Sequence, residues 1–503
     1  MGRTKALIYN SITTAALQVV TMLAGFIVPR YMLVYYGSEV NGLISSILQF
    51  IAYFNLVEAG ISGAAVYALY KPLSEKDIAG VSTVVSAAKK FYMQSGYIFV
   101  LLTVLLAVLY PIYIKSPILT ATEIAVLVIL LGMNGCFEFF TLAKYRALLT
   151  ADQKIYVISL ASIVYMVLNT LTVVVLARAG TDIILLRAAV VLTIFVRSLI
   201  LAIYCKIKYP SLNYSMPFPH GILDKRWDAL MLQILGVIHV GAPVVIITLV
   251  LEDLKAVSVY SVYNMVLSGV SGILGIFMSG LGSSFGDVIA RRQLDTLQKA
   301  YQEFECFYYS AIAAAYGVTF VMIMPFIKLY TQGVTDVNYD VPLIGFLFTL
   351  NALMYSVKTP QGMLVISAGM YHETRWQTFT QGAIMVAGGL VLAPHMSIAG
   401  VLCASIISNL YRDIDLLFFI PKHLTKLPAA KTFRRICAAF VNICLIVLIY
   451  DIFFDDDIAT YWQWAFRALE TTLIAAAIVS ATAFISDRET LLRLLKRLRI
   501  VRS

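Results

Sequence analysis

Charge is scarce in this sequence. Asp, Glu, Lys and Arg together make up 13% of 503 residues, about half the share of a soluble domain, while 60% of the residues are hydrophobic. So small a charged fraction excludes a globular surface bathed in water and points to a chain that lives in lipid. Long polar loops are equally rare. The stretch "YTQGVTDVNYD", at residues 330–340, ranks among the longest on its side of the membrane and leaves no room for a catalytic domain there. No Gly-x4-Gly-Lys-Ser/Thr motif is present to cradle a nucleotide. The six cysteines (Cys136, Cys205, Cys306, Cys403, Cys437, Cys444) lie in apolar segments without paired or metal-ligand spacing, and read as small core residues. The expectation is a protein that is not an enzyme, with no catalytic residue, metal or cofactor.

What the chain has is apolar length. Runs of about 20 residues or more, enough for a helix to cross some 30 Å of hydrocarbon, follow one another to about residue 485. They lie near residues 6–36, 42–70, 92–113, 122–143, 155–177, 183–205, 230–251, 257–289, 304–329, 341–370, 376–393, 398–420, 433–454 and 461–485. The predicted fold is an all-α polytopic membrane protein with about fourteen transmembrane helices. The first run is too long for a removable signal peptide and lacks a small-residue cleavage site, so it is expected to stay.

Short cytoplasmic loops retain Lys and Arg, and translocated loops do not. Threaded through fourteen helices, 28 of the 38 basic residues fall on one side, 6 on the other (Arg30, Lys115, Arg178, Arg187, Lys255, Lys328) and 4 within helices (Arg197, Lys358, Arg412, Arg467). This predicts a multi-pass protein of the cytoplasmic (inner) membrane with both termini cytoplasmic. The net charge of +10 thus arises from inner loops and the tail "RETLLRLLKRLRI". That tail reads as a basic amphipathic helix resting on anionic lipid, not as a nucleic-acid binder.

The longest inner connection, "KYPSLNYSMPFPHGILDKR", follows the sixth run, and a repeat marks the same boundary. "ALLTADQKIY" closes the fourth run and "MLVISAGMYH" the tenth, with Ala151 and Ala368 offset by 217 residues; Gln18 and Gln233 are offset by 215. The expected organisation is a six-helix lobe at 1–215, a second at 216–425, and an appended helix pair with a basic tail at 426–503. Duplicated six-helix halves place a cavity between them.

The stretch "PRYMLVYYGSEVNGLISSILQFIAYFNLVEAGISGA", with its Pro, Tyr-Gly, Asn-Gly and Glu-x-Gly landmarks, resembles the start of the polysaccharide transporter family, the O-antigen-type flippases. That family belongs to the multidrug, oligosaccharidyl-lipid and polysaccharide exporter superfamily. "YRALLTADQKIYVIS" and "PQGMLVISAGMYHET" are similar to two further turns of the family. The resemblance covers most of residues 1–425, and its motifs are loose and not catalytic. It implies a flippase that carries a polyprenyl-diphosphate-linked oligosaccharide to the outer leaflet for cell-surface polysaccharide synthesis, with polymerase or glycosyltransferase partners. The extra helix pair resembles the lipid-linked peptidoglycan-precursor branch, which stays open as an alternative. So does a cation-coupled drug or metabolite antiporter of the same superfamily.

Ionisable residues inside spanning helices cost a few kcal/mol or more and usually face a cavity or a partner. Arg412 with Asp415, and Arg467 with Glu470, are spaced to neutralise each other on one helix face. Arg30, Glu58, Glu138, Arg197 and Lys358 have no obvious local partner and are the candidate substrate-binding residues. Each has a structural alternative. Arg30 either snorkels to headgroups or is turned inward by a bend at Pro29. Glu58 either pairs with a buried base or lines the cavity, and Glu138 either pairs with Arg197 or does not. Lys358 either satisfies the carbonyl freed by Pro360 or meets substrate. His239, in "VIHVGAP", is a core histidine or a proton carrier. The Gly- and Ser-rich eighth run is a close-packing surface or a deformable cavity wall. Arginine binds phosphate bidentately and keeps its proton, which suits Arg30 and Arg197 to a diphosphate. Two negative charges moving fully outward through 100 mV, interior negative, release about 4.6 kcal/mol, which suggests drive by the membrane potential.

Overall fold

The computed structural model describes residues 3–58, 61–218, 241–278, 281–454 and 458–497. All the regular structure in these residues is helical. In chain order the helices are α1 (Arg3–Phe54), α2 (Ile61–Glu75), α3 (Ile78–Tyr113), α4 (Ala121–Phe137), α5 (Ala143–Ala151), α6 (Ile155–Arg178), α7 (Ile183–Lys208), α8 (Gly241–Leu251) and α9 (Leu254–Met278). They continue as α10 (Leu281–Ala290), α11 (Leu294–Tyr330), α12 (Pro342–Val357), α13 (Thr359–Ser367), α14 (Tyr371–Ile420), α15 (Ala429–Phe453), α16 (Tyr461–Ser486) and α17 (Arg488–Arg497). A 3-10 turn at Asn55–Glu58 and π turns at Glu138–Leu142 and Pro421–Thr425 interrupt the series.

Ten helical stretches among the described residues are long and apolar enough to cross a membrane. Two of them, the 68 residues Ile8–Glu75 and the 55 residues Tyr371–Thr425, are far too long for a single crossing. Each is broken near its middle, at Gly37 (φ 81°, ψ 171°) and at Ser397 (φ 52°, ψ −133°). Splitting both, and adding α8 and the α12–α13 pair that Lys358 divides, gives fourteen apolar segments at the expected places. The seventh run begins outside the described residues.

By packing, the chain forms two compact units, residues 1–261 and 262–503. In the first, a core of aliphatic and aromatic side chains runs through α1 to α7 and includes Leu43, Ile47, Leu69, Tyr92, Phe99 and Leu127. Lipid offers no hydrophobic drive between helices, so close approach of backbones does much of the work. The tightest case is Gly42, where a Cβ would stand 1.8 Å from the Leu254 carbonyl oxygen, and Asn41 Nδ2 donates to Ser258 Oγ at 2.8 Å beside it. In the second unit α11, α15 and α16 pack together, with Glu305 and Arg435 buried between them at one end and Asp487 bound to Arg435.

One expectation needs correction. All six cysteines are free, but Cys437 and Cys444 lie on the exposed face of α15 and not in a core. Pro29 lies inside the helix, where its ring removes one hydrogen bond, and the non-helical break of this stretch comes at Gly37.

Candidate functional site

Each unit carries a partly buried polar cluster, and each is built at a defect in helical geometry. In the first unit the defects are the 3-10 turn ending at Glu58 and the π turn beginning at Glu138. Arg146, on α5, donates a short hydrogen bond to Glu138 Oε1, and Arg197 Nη2, on α7, lies 3.9 Å from the same oxygen. Glu58 is close enough to interact electrostatically with both Glu138 and Arg146, and Tyr92, almost fully buried, adjoins Glu58. The Arg197 guanidinium lies 5.9 Å from the centre of the Tyr165 ring, and its Nε is buried without a hydrogen-bond partner. Two acids and two arginines therefore share one cluster.

Arg146 is the member that sequence reasoning missed, having been assigned to an inner loop. At 100° per residue, positions eight apart diverge by about 80° around an α-helix. A π turn absorbs one residue, so the effective spacing is seven and the divergence falls to about 20°. The pairing is thus created by an irregularity that 3.6-residue periodicity does not anticipate. Glu138 takes Arg146 as its direct partner, and Arg197 stands at the limit of ion-pair distance.

Arg30 is half-buried on α1. Its neighbours in sequence form the rim of the first unit. Arg178 Nη2 donates to the Tyr31 hydroxyl at 2.8 Å, Tyr31 stacks on Tyr35 at 5.8 Å, and Tyr36 donates to the Thr181 carbonyl at 2.6 Å. Arg187, 8% exposed, reaches the Met32 sulfur at 3.2 Å. The first limb of α1, just before Gly37, and the α6–α7 turn thus concentrate arginine and tyrosine at one place.

In the second unit the defect is Lys358, between α12 and α13. The Ser356 carbonyl, which Pro360 leaves without its i−4 donor, accepts the Lys358 backbone N–H and not the Lys358 ammonium. With its amide turned to suit the network, Gln361 donates to the carbonyls of Val357 (3.2 Å) and Lys358 (3.3 Å) and accepts from Tyr309 (2.8 Å). The Lys358 ammonium instead donates to Asn409 Oδ1, which also receives Gln381 Nε2 at 3.3 Å, while Asn409 Nδ2 donates to Asn351 Oδ1 at 3.0 Å. Asp413, one turn beyond Asn409, went unnoticed in the sequence between Arg412 and Asp415, which pair at 2.5 Å as their spacing predicts. Arg467 and Glu470 also pair, at 3.5 Å. His239 lies outside the described residues.

The motifs that carry the family resemblance turn out to be structural. In "TADQK", Gln153 has a left-handed backbone (φ 57°), Lys154 pairs with Asp152 at 2.6 Å, and Tyr209 donates to Asp152 at 2.5 Å. Burial, reinforced by that bond to Asp152, raises the Tyr209 phenol well above its ordinary range, so it stays a donor. In "ISAGMYH", Gly369 takes φ 68° and Ser367 Oγ donates to the Gly282 carbonyl at 2.9 Å.

No protein-family model matches the sequence, and no curated protein does. Solved structures do. One described as the lipid II flippase MurJ in an inward closed conformation matches with a TM-score of 0.63 and 15% identity, over 95% of this chain and 99% of its own. An inward-facing multidrug resistance MATE family transporter of the MOP superfamily matches with a TM-score of 0.61 and 13% identity, over 86% of this chain and 99% of its own. A MOP superfamily transporter from Pyrococcus furiosus, whose binding pocket is described as reversed in polarity, matches with a TM-score of 0.60 and 14% identity, over 87% of this chain and 96% of its own. At these identities what is shared is the fold: the chain is an all-helical, multi-pass membrane protein folded like the flippases and transporters of this superfamily.

Proposed function

We propose that the protein is a flippase that moves a polyprenyl-diphosphate-linked oligosaccharide from the cytoplasmic to the outer leaflet of the cell membrane. The observation that carries this reading is coverage. The MATE match accounts for 99% of that transporter yet leaves 14% of this chain over, a share about the size of α15 to α17, whereas the match to the lipid II flippase covers 95%. An additional helix pair beyond the antiporter length supports a lipid-linked substrate. A peptidoglycan precursor is the second reading, favoured by that same match; the resemblance in residues 29–64 favours a polysaccharide precursor.

The side chains are consistent with an anionic headgroup. An exporter of organic cations wants carboxylates free to bind them, but Glu138 is held by Arg146 and Glu58 lies within the field of the same arginine. In the proposed cycle Arg197 and Arg30 contact the diphosphate, and the arginines about the α6–α7 turn receive it near the outer face. The lobes in this reading are residues 1–215 and 216–425, with 426–503 appended. Both termini face the cytoplasm.

Fluorescent polyprenyl-diphosphate sugars in proteoliposomes test the proposal. Outward movement is expected for the sugar-bearing lipid and slower movement for a peptide-bearing precursor. Replacing Arg30 and Arg197 together by alanine should reduce the rate at least tenfold, with lysine restoring part of it. Near-normal flipping by the double variant would place the diphosphate elsewhere, and no flipping of either lipid would remove the reading.

A further inference from the structure

The chain that leaves α7 is strapped back onto α3 of the same unit. The Asn213 N–H donates to Ser82 Oγ and Ser86 Oγ donates to the Asn213 carbonyl, both at 3.2 Å. The Met216 N–H donates to Ser86 Oγ at 3.0 Å, and the Lys89 ammonium reaches the Tyr214 carbonyl at 3.4 Å. Between this strap, α5 and α7 lies a cavity of about 290 Å³. Its walls include Tyr145 of α5, Ile203 and Lys206 of α7, and Tyr209, Leu212 and Tyr214 of the strap. None of the described residues that line it is acidic.

The polar groups of the cavity are short of partners. Among the described residues the Lys206 ammonium and the Tyr145 and Tyr214 hydroxyls have no hydrogen-bond or ion-pair partner. The rings of Tyr145 and Tyr214 meet edge to face at 5.9 Å, and the Lys144 ammonium lies 4.8 Å and 5.5 Å from their centres. Tyr209 is already committed to Asp152 and Lys154, which also pair with each other. A free lysine, two free phenolic donors and a second ammonium behind the rings suit a phosphate. On its Ile203 side the cavity is continuous with an apolar stripe of α7. Leu192, Phe195, Leu199, Ile203 and Ile207 recur every three or four residues and are 42–75% exposed. That stripe is about 22 Å long, more than the roughly 15 Å of hydrocarbon in one leaflet, so an acyl chain can lie along it. The cavity itself stands at the low end of ligand sites, which span about 300–1,000 Å³, and has room for a phosphate with a small substituent but not for an oligosaccharide.

We propose that this cavity binds an anionic phospholipid as a resident ligand, with its phosphate on Lys206 and the Tyr145 and Tyr214 hydroxyls and an acyl chain along Ile203 and Leu199. One phosphate then joins α5, α7 and the strap. Lys89, Lys90 and Lys208 lie close by in the chain or on the strap's anchor and add to the positive field that draws an anionic headgroup to this end of the unit. The site stands whether or not the protein is a flippase. Only the assignment of the lipid to the cytoplasmic leaflet rests on the proposed topology.

Native mass spectra of the purified full chain in detergent, with phosphatidylglycerol or phosphatidylcholine added, test the site by the lipid each protein retains. The parent should hold one phosphatidylglycerol about tenfold more tightly than phosphatidylcholine. Lys206→Ala combined with Tyr214→Phe should lose that preference. The first change is at an exposed side chain and the second keeps the ring, so lipid-free thermal unfolding should match the parent's. Phosphatidylglycerol with a photoreactive headgroup should label the peptide that contains residues 203–214 in the parent and leave it unlabelled in the variant. Equal retention of the two lipids overturns the proposal, as does a preference that survives in the folded variant or a label confined to the basic tail. Glycerol 3-phosphate bound as tightly as the whole lipid would make a soluble anion the ligand. Displacement by equimolar polyprenyl diphosphate would make it the cargo. Either result overturns a resident phospholipid.

Discussion

At the scale of residues, buried charges in this protein are arranged by what each can give up. Arg435 donates through Nη1 to Glu305 Oε2 and through Nε to Asp487 Oδ2, both at 2.8 Å, and Glu305 also receives Thr432. One guanidinium thus holds two acids from different helices. Burial works to raise the Asp487 carboxyl, but hydrogen bonds from Thr490 and Arg435 outweigh it and hold the group below the usual carboxylate range. A depressed folded value stabilises the protein above the unfolded carboxylate value of about 3.9, and the contribution is lost as the pH falls through the lower folded value. Asp487→Asn should therefore cost on the order of 1–3 kcal/mol at neutral pH. Thermal unfolding of parent and variant should converge only in acid, and a gap that stayed constant from neutral to strongly acidic pH would contradict this account. The same scale shows where sequence reading stops. Arg412 with Asp415 and Arg467 with Glu470 were legible because i to i+3 spacing is a property of any α-helix. The bond from Arg146 to Glu138 was not, because it exists only across a π turn, and Asp413 was not, because its isolation depends on what α13 and the first limb of α14 bring beside it.

At the scale of elements, the apolar runs were legible because bilayer thickness fixes their length, and the structure adds where the long stretches break. Gly37 has φ 81° and ψ 171°, a region open in practice to glycine alone, and it sits in the Tyr-Gly landmark of the family resemblance. The neighbouring Asn-Gly landmark is explained by the approach of Gly42 to Leu254 and the bond from Asn41 to Ser258. The corresponding break in α14 uses Ser397 at φ 52°, where a side chain is strained. Opposite outcomes follow from one cause. Gly37→Ala should destabilise the protein by about 1–3 kcal/mol, and Ser397→Gly should stabilise it by up to about 1 kcal/mol, both read as shifts in thermal unfolding of the purified protein. Equal and small shifts at the two positions would mean that these breaks are set by their surroundings and not by backbone preference. No sequence pattern announced Ser397, since serine there has no local reason to leave the helix.

At the scale of the whole molecule, the charge asymmetry and the breaks make a joint statement about topology. The turns at Lys76, Gln153, Arg292 and Lys426 lie in segments rich in Lys and Arg, the turn at Gly369 is followed by Arg375, and each takes a positive φ that ends one helix and starts the next. The turns at Gly37, Gly180, Gly333 and Ser397 are interleaved with them along the chain and as a group are flanked by fewer basic residues. If basic loops are retained in the cytoplasm, the first group faces inward and the second outward, and an even number of crossings returns the tail to the side of the start. Single cysteines placed at Lys76, Gln153, Gly369 and Lys426 in a cysteine-free background should react with an impermeant maleimide only after the membrane is opened. Cysteines at Ser116, Gly180 and Gly333 should react in intact cells, and one at Ser503 should behave like the first group. The Gly180 and Gly369 positions decide most, because each follows the end of a helix and neither side chain is needed for packing. Reaction of both from the same side would mean that one run between them does not cross, and the fourteen-helix path with paired termini would have to be redrawn.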